Sequence, residues 1–166
     1  MRMKLLLTGI AVAAIAVTQP LGAATDTKGV TINVTVSAAA KLTISTPTLT
    51  FIDADPDLTP SLSPTEGIVS ITAKAKTGAA SVVTLTLNAG TNLTSGGDTI
   101  AISNITWTAG GDGFVAGTMA VSSEVPVASW TGSGNRSGTQ TFALVNSWAY
   151  TPGSYSASAT YTLTAP

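Results

Sequence analysis

The side chains that could perform chemistry in this 166-residue chain are few. It contains no cysteine and no histidine, so it lacks a thiolate nucleophile and the commonest acid–base catalyst and metal ligand. Serines are plentiful, but no histidine can activate one, and neither Gly-x-Ser-x-Gly nor Ser-x-x-Lys occurs. The carboxylates of Glu66 and Glu124 are isolated in the sequence. We therefore expect a protein that is not an enzyme.

One acidic cluster remains as a candidate cation site, at Asp53, Asp55 and Asp57. Alternate carboxylates in a loop can gather around a hard cation, so these residues predict a Ca²⁺ site and no other cofactor. An EF-hand loop needs glycine at its sixth position and glutamate at its twelfth, whereas Leu58 and Pro64 stand there. The alternative is an Asp- and Pro-rich turn whose solvated carboxylates cap backbone amides.

The tryptophans offer a second kind of chemistry, the stacking of sugar rings on indole faces. Trp107 and Trp130 are the candidate glycan contacts, and Trp130 is the one expected at the surface because a glycine-rich stretch follows it. The alternative is packing in a core, which Trp107 and Trp148 favour because both lie in strand-like patterns.

The first 24 residues have the pattern of a secretory signal peptide. Arg2 and Lys4 precede an apolar run, Pro20 breaks it, and small residues follow up to Ala24. The run is shorter than the ~20 residues of a spanning helix, so we expect no membrane span after cleavage. These features predict a protein that is secreted to the periplasm, the cell surface or the extracellular space.

The composition of residues 25–166 limits the partners. Five basic residues stand against eight acidic ones, a net charge of about −3, so no basic patch is available for nucleic acid. Only 9% of the chain is charged, compared with ~25% in typical soluble domains. This neutral, hydroxyl-rich surface suits packing against copies of the same chain or against a polymer.

Alternating apolar residues predict strands throughout residues 25–166. The first strand, Gly29 to Val36, carries four aliphatic residues on one face: Val30, Ile32, Val34 and Val36. Further strands are expected at Lys41–Ser45, Gly67–Lys76, Ser81–Ala89, Thr99–Thr108, Phe114–Val121 and Thr139–Val145. Ser154–Pro166 completes the chain as a strand with one apolar and one hydroxylic face.

Three stretches are expected to be irregular. The apolar phase slips between Ile102 and Ile105, which predicts a bulge or a change of sheet. Val125–Trp130 contains Pro126 and is expected at an edge or in a loop. Thr131–Gly138, TGSGNRSG, is expected to be a flexible loop. The pattern as a whole predicts one domain, an antiparallel two-sheet immunoglobulin-like sandwich of seven to nine strands, with a closed barrel as the alternative.

Two resemblances add to this prediction. The signal peptide, GVTINVTV, the Lys41-Leu-Thr-Ile stretch and the closing Gly-x-Tyr strand are together similar to pilins of the archaic chaperone–usher (spore coat U-like) class. The ending, from Leu144 to Pro166, resembles small secreted bacterial β-sandwich proteins and the close of WxL domains, which bind cell wall. The pilin resemblance implies an incomplete sandwich, a periplasmic chaperone, and donation of an N-terminal strand to the next subunit.

We therefore expect a non-enzymatic, exported structural subunit that self-associates into a fibre, a pilus-like polymer or a surface coat. Residues 25–37 are the candidate donor or edge strand, with the contact carried by Val30, Ile32, Val34 and Val36. The alternative function is that of a cell-surface module that binds cell wall or glycan through Trp130 and Trp107.

Overall fold

The computed structural model describes residues 24–166. The predicted signal peptide, residues 1–24, lies outside the described residues except for Ala24. The chain divides after Val34. Residues 24–34 carry no assigned secondary structure, and residues 35–166 form the β unit described below. Within residues 24–166 no helix is long and apolar enough to cross a membrane.

The β unit is all-β and sandwich-like, with antiparallel strand pairs in two main sheets, as the sequence predicts. Its elements in chain order are β1 (Ala39–Ile44), β2 (Ser61–Leu62), β3 (Val69–Lys76), β4 (Val82–Ala89), β5 (Leu93–Ser95), β6 (Asp98–Ile100), a 3₁₀ turn (Ile102–Asn104), β7 (Ile105–Gly110), β8 (Gly117–Thr118), β9 (Val125–Thr131), β10 (Gly134–Val145) and β11 (Ala159–Thr164). Four of these strands are only two or three residues long, and the seven longer strands agree with the predicted number of seven to nine.

The larger sheet has the order β1-β3-β10-β7-β8, and β2 pairs with the C-terminal end of β10. The smaller sheet has the order β11-β4-β9, and β5 with β6 forms a separate hairpin. Thus β1 and β11 are edge strands of the two main sheets. An edge strand presents a row of backbone N–H and C=O groups without ladder partners.

The core lies between the two sheets and is supplied by alternate residues of the central strands. β3 contributes Val69, Ile71, Ala73 and Ala75, and β4 contributes Val83, Leu85, Leu87 and Ala89. Phe142 of β10 is buried beside Trp107 of β7, with ring centroids 5.9 Å apart. The period-two prediction for these strands is confirmed because each has one face in the core and one in solvent.

The structure corrects the prediction that Thr131–Gly138 is a flexible loop. β10 begins at Gly134 and pairs with β3, Gly134 opposite Ala75 and Gly138 opposite Ile71. The glycine at 138 serves packing, because a Cβ there would collide with the ring of Phe114. A glycine-rich composition indicates a loop only where no neighbouring side chain needs the space.

The last strand is also shorter than predicted. Only Ala159–Thr164 pairs with β4, whereas Ser156 forms an isolated bridge to Thr94 of β5. The phase slip at residues 102–105 is confirmed as a change of sheet. The 3₁₀ turn there separates β6, in the hairpin, from β7, in the larger sheet.

Candidate functional site

The N-terminal segment, defined as residues 29–37, has a strand sequence without a strand partner. None of its residues is assigned to a strand, so the predicted strand Gly29–Val36 is absent from the part of the chain that the structure describes. The exposed fractions of its four aliphatic residues fall from 84% to 70%, in the order Val30, Ile32, Val34, Val36. Four large apolar side chains in solvent at every second position form an unsatisfied apolar face.

The polar face of the segment is neutral. Thr31, Asn33 and Thr35 fill the alternate positions, and no charged residue occurs between Lys28 and Lys41. In an extended conformation the seven residues from Val30 to Val36 span roughly 23 Å, at ~3.3 Å per residue. This length is ample for a ladder of backbone hydrogen bonds with another strand.

A large cleft, hereafter the cleft, opens between the two sheets, with a volume of about 1240 Å³. Its floor is made by core residues of β3, β4 and β10, namely Val69, Leu87, Phe142 and Leu144. Its apolar rim includes three half-buried side chains, Leu49, Phe51 and Leu93. The 3₁₀ turn and the stretch 147–159 complete the lining. Core residues of both sheets therefore border the cleft, although each of the four floor residues is at most 7% exposed.

The position of the cleft follows from how the two edge strands run. Near the start of β1 the edges come together, and the Thr77 hydroxyl donates a hydrogen bond to the carbonyl of Pro166, just beyond β11. The cleft is lined by the opposite ends of these strands, Ile44 at the end of β1 and Ala159 at the start of β11. The edges thus meet at one end of the sandwich and leave the cleft at the other.

One rim of the cleft is fixed by a carboxylate. Glu66 accepts hydrogen bonds from the backbone N–H of Thr50 at 2.7 Å and from its hydroxyl at 2.8 Å. The backbone bond, followed by the hydroxyl bond, holds the pKa of the Glu66 carboxyl below its usual value. This contact ties the Leu49–Phe51 stretch to the loop before β3.

The opposite rim is tied down through Tyr150 and Asn146. The Tyr150 hydroxyl accepts a hydrogen bond from Asn104 Nδ2 at 2.9 Å and donates one to the carbonyl of Val145 at 3.0 Å. Burial raises the pKa of Tyr150. Asn146 is buried, and its Nδ2 donates to the carbonyls of Ala54 and Thr59 at 2.9 and 3.0 Å. The loop after β10 is therefore anchored to the Asp-rich loop.

The three aspartates predicted to bind Ca²⁺ lie in this exposed loop. Asp55 Oδ1 accepts the backbone N–H of Asp57 at 2.9 Å, which is the geometry of an Asx turn. Asp57 Oδ1 accepts the indole N–H of Trp148 at 3.1 Å. Among the described residues no group of three acidic, histidine or cysteine side chains is placed to hold a metal ion. The Ca²⁺ site stays an untested prediction, and the observed contacts are those of a turn.

The structure corrects the placement of the tryptophans. Trp107 is 2% exposed and donates its indole N–H to the carbonyl of Val115 at 2.9 Å. Trp130 was expected at the surface but is 7% exposed, because β9 continues to Thr131 and turns the ring into the core. Neither ring is available for sugar stacking. Trp148, expected in the core, is 71% exposed because the chain leaves the strand pattern after Val145.

Buried Gln140 and partly exposed Tyr161 form a polar pair at the cleft, which Tyr161 lines. Gln140 is fully buried, and its Oε1 accepts a hydrogen bond from the hydroxyl of Tyr161 on β11. Gln140 Nε2 is buried and has no hydrogen-bond partner. Burial raises the pKa of the Tyr161 hydroxyl above its usual range. The pair links the two sheets, and sequence reasoning missed it because Gln140 occupies a position in β10 that otherwise predicts an apolar residue.

The residues that line the cleft were also absent from the sequence-based prediction, although the pilin resemblance implies an incomplete sandwich. The floor residues of the cleft carry the same alternation as any core strand, and only the spacing of the two sheets distinguishes them. Comparison with protein-family models, with curated proteins and with solved structures finds no match to this chain. The resemblances to archaic pilins and to WxL domains therefore stay predictions.

Proposed function

We propose that this protein is an exported, non-enzymatic structural subunit that self-associates through its N-terminal segment and builds a fibre, a pilus-like polymer or a surface coat. The observation that carries the proposal is the exposure of Val30, Ile32, Val34 and Val36 on one face of a segment with no strand partner. Export rests on the signal-peptide pattern of residues 1–24, and a chaperone that covers the segment before assembly is part of the same proposal.

The energetics favour association. Burying a Val or Ile side chain contributes roughly 1.5–3 kcal/mol, so four of them supply on the order of 6 kcal/mol or more before the cost of ordering the segment. Backbone hydrogen bonds to a strand edge add directionality. Because the segment lies at one end of the chain and its acceptor on another copy, the contact is heterologous, and repetition gives an open polymer.

Light scattering after size-exclusion chromatography tests the proposal on residues 25–166 and on residues 38–166. We expect oligomers or polymers from the longer chain, monomers from the shorter one, and a recovered shift in mass when a peptide of residues 25–37 is added. A chain of residues 25–166 that stays monomeric at high concentration would contradict self-association, and so would oligomers that persist after truncation.

Substitutions on the two faces of the segment supply a matched comparison. Val30→Ser with Val34→Ser removes half of the apolar face, whereas Thr31→Ser with Thr35→Ser changes the polar face by the same number of residues. We expect the first pair to abolish oligomers and the second to leave them intact. Equal effects of the two pairs would show that the alternation does not mediate the contact.

A second candidate function is binding of cell wall or glycan, and the exposure of Trp148 favours it. The indole N–H is held by Asp57, so the ring is fixed by its edge while most of its surface stays in solvent. A fixed aromatic plane beside hydroxyl groups suits the apolar face of a sugar. Pull-down with purified peptidoglycan and titration with soluble oligosaccharides should then show binding that Trp148→Ala removes and Trp148→Phe retains. No binding by the unchanged chain would exclude this candidate.

A further inference from the structure

We propose that the cleft binds a polysaccharide whose flat pyranose rings carry free amino groups, of the β-linked glucosamine type. This inference rests on the second candidate function, the binding of glycan, and names its site and its ligand class. No residue of the N-terminal segment lines the cleft, so glycan binding and self-association can be tested separately. The supporting observations are the aromatic rings at the cleft, the way in which they are fixed, and the charge beside them.

Aromatic residues are concentrated at the cleft. The chain has three Phe, three Trp and three Tyr residues, and six of these nine line it: Phe51, Phe142, Trp148, Tyr150, Tyr155 and Tyr161. The ring of Trp148 is exposed, and the three tyrosines are half-buried. Among the described residues the sole aromatic pair joins Trp107 to Phe142, so the tryptophan and the tyrosines do not stack on one another. Ring faces that no other ring covers can take the apolar face of a pyranose.

The polar atoms of these four rings are already bonded within the protein. Trp148 donates its indole N–H to Asp57 Oδ1 at 3.1 Å. Each of the three tyrosine hydroxyls donates to a protein oxygen, namely the carbonyls of Val145 and Thr151 and Gln140 Oε1. The rings are thus oriented before a ligand arrives, which lowers the entropic cost of binding. Because their polar atoms are occupied, they offer a ligand their faces, and a pyranose ring presents C–H groups that suit such a face.

The size and the hydroxyl groups of the cleft favour a chain of sugars. Small-molecule sites usually measure ~300–1,000 Å³, and this cleft, at about 1240 Å³, is larger. Five hydroxyl-bearing residues of one stretch line it: Ser147, Thr151, Ser154, Ser156 and Ser158. An acyl chain would remove these hydroxyls from water without offering them hydrogen bonds, whereas a glycan can donate and accept them. The lining therefore favours an oligosaccharide over a single sugar and over a lipid.

The charge at the cleft selects among glycans. Asp53 and Asp55 line it, no lysine or arginine does, and in the part of the chain that the structure describes neither aspartate forms an ion pair. An ammonium group on a bound sugar is attracted to these exposed carboxylates and to the face of Trp148, beside which Asp57 lies. A uronic acid chain would instead bring like charges together. The cleft therefore favours a glycan with free amines.

Titration calorimetry tests the assignment on residues 25–166 with Val30→Ser and Val34→Ser, the variant expected to stay monomeric. The probes are oligomers of glucosamine, of N-acetylglucosamine and of galacturonic acid, at a mildly acidic pH where the amines are charged. We expect the glucosamine oligomer to bind several-fold more tightly than its N-acetylated form, with a preference that salt weakens, and the galacturonate not to bind. Tyr155→Ala should weaken binding by roughly tenfold, as the loss of one stacked ring predicts, and Tyr155→Phe should retain it.

A matched pair of double variants tests the charge. Asp53→Asn with Asp55→Asn should abolish the preference for free amines, whereas Asp98→Asn with Glu124→Gln, at exposed positions outside the cleft, should leave it unchanged. All four side chains are exposed, so neither pair removes buried contacts from the fold.

The outcomes separate the two levels of the proposal. If no glycan binds, the second candidate function itself fails. If a glycan binds and Trp148→Ala removes the binding, but Tyr155→Ala and the two double variants have no effect, glycan binding stands and the cleft is not its site. Galacturonate that binds as tightly as the glucosamine oligomer would overturn the assigned ligand class. None of these results depends on whether residues 25–37 mediate polymers.

Discussion

The N-terminal segment and β3 have nearly the same pattern but opposite environments. Residues 30–36 read VTINVTV and residues 69–75 read VSITAKA, each with apolar residues at every second position. The apolar positions of β3 are at most 6% exposed, since β3 pairs with β1 on one side and β10 on the other. Those of the segment are at least 70% exposed, and none of them is assigned to a strand.

The difference shows what an alternating pattern encodes. A period of two indicates that a strand has one apolar face, which must be buried against other residues for the strand to be stable. It does not state which chain provides the cover. The apolar face of β3 is covered by the sheet that contains β4, whereas the apolar face of the segment is exposed to solvent. We read the segment as a core strand whose core belongs to another copy.

The largest expected effect is the difference between two single substitutions, Ile71→Ala in β3 and Ile32→Ala in the segment. Ile71→Ala removes buried atoms from β3 and should lower the free energy of unfolding by roughly 2–5 kcal/mol. Ile32→Ala should change it by no more than about 0.5 kcal/mol in the monomer, while weakening oligomers. Urea unfolding under dilute conditions measures the first quantity and light scattering the second. A destabilised Ile32→Ala monomer would mean that the segment is packed within its own chain.

A smaller effect is expected for the polar pair at the cleft. Tyr161→Phe removes the donor to Gln140 Oε1 and leaves that fully buried side chain with no partner at either terminal atom. The free energy of unfolding should fall by roughly 1–3 kcal/mol. The corresponding exposed change, Thr31→Ser in the segment, should have no measurable effect. Equal stability of Tyr161→Phe and the unchanged chain would show that water satisfies Gln140 in solution.

The same tyrosine predicts a loss of stability at high pH. Its pKa is raised by burial, so its neutral form contributes to folding below its unfolded pKa of about 10. That contribution is lost as the pH rises above this value towards the folded pKa. Stability measured from pH 8 to 12 should fall more steeply for the unchanged chain than for Tyr161→Phe. Parallel curves would contradict the burial of this hydroxyl.

The smallest expected effect is on the stability at acid pH, to which Glu66 contributes at the rim of the cleft. The pKa of Glu66 is lowered by its bonds from Thr50, so its contribution is present above the unfolded pKa of about 4.3 and lost as the pH falls through the lower folded value. Glu66→Gln should remove this dependence, whereas the segment, with no titratable side chain, should be insensitive to pH. Acid-unfolding curves compare the two proteins. Identical curves would show that the Glu66 contact contributes nothing.

Much of the fold could be predicted from the sequence because alternation is local. Val69–Lys76 and Val82–Ala89 were predicted to within two residues. The broken phase between Ile102 and Ile105 predicted a bulge or a change of sheet, and the structure has the change of sheet. Predictions failed where composition and packing disagree. Gly134–Gly138 pairs with β3 as a strand, and Gly138 makes room for the ring of Phe114, whereas its glycines had predicted a loop. Trp130 is buried because β9 continues to Thr131.

The sequence predicted one part of the candidate site, the segment, but not the residues that line the cleft. The residues of the segment and their two faces are legible in the sequence, and so is the expectation that they contact a strand edge. The lining of the cleft is not legible in the sequence, because its residues come from both sheets and from the stretch 147–159 and meet only in the fold. Trp148 was misplaced for a related reason. The alternation continues past Val145 in the sequence although the strand ends there.

Hydrogen exchange of the backbone amides, resolved by peptide, tests the central claim most directly. It compares residues 29–37 with residues 69–76 in dilute monomer and in the assembled form. We predict that β3 is protected in both states, and that the segment exchanges freely in the monomer and becomes protected on assembly. Protection of the segment in the monomer would place its partner in the same chain, and free exchange in the assembly would show that copies associate by other surfaces.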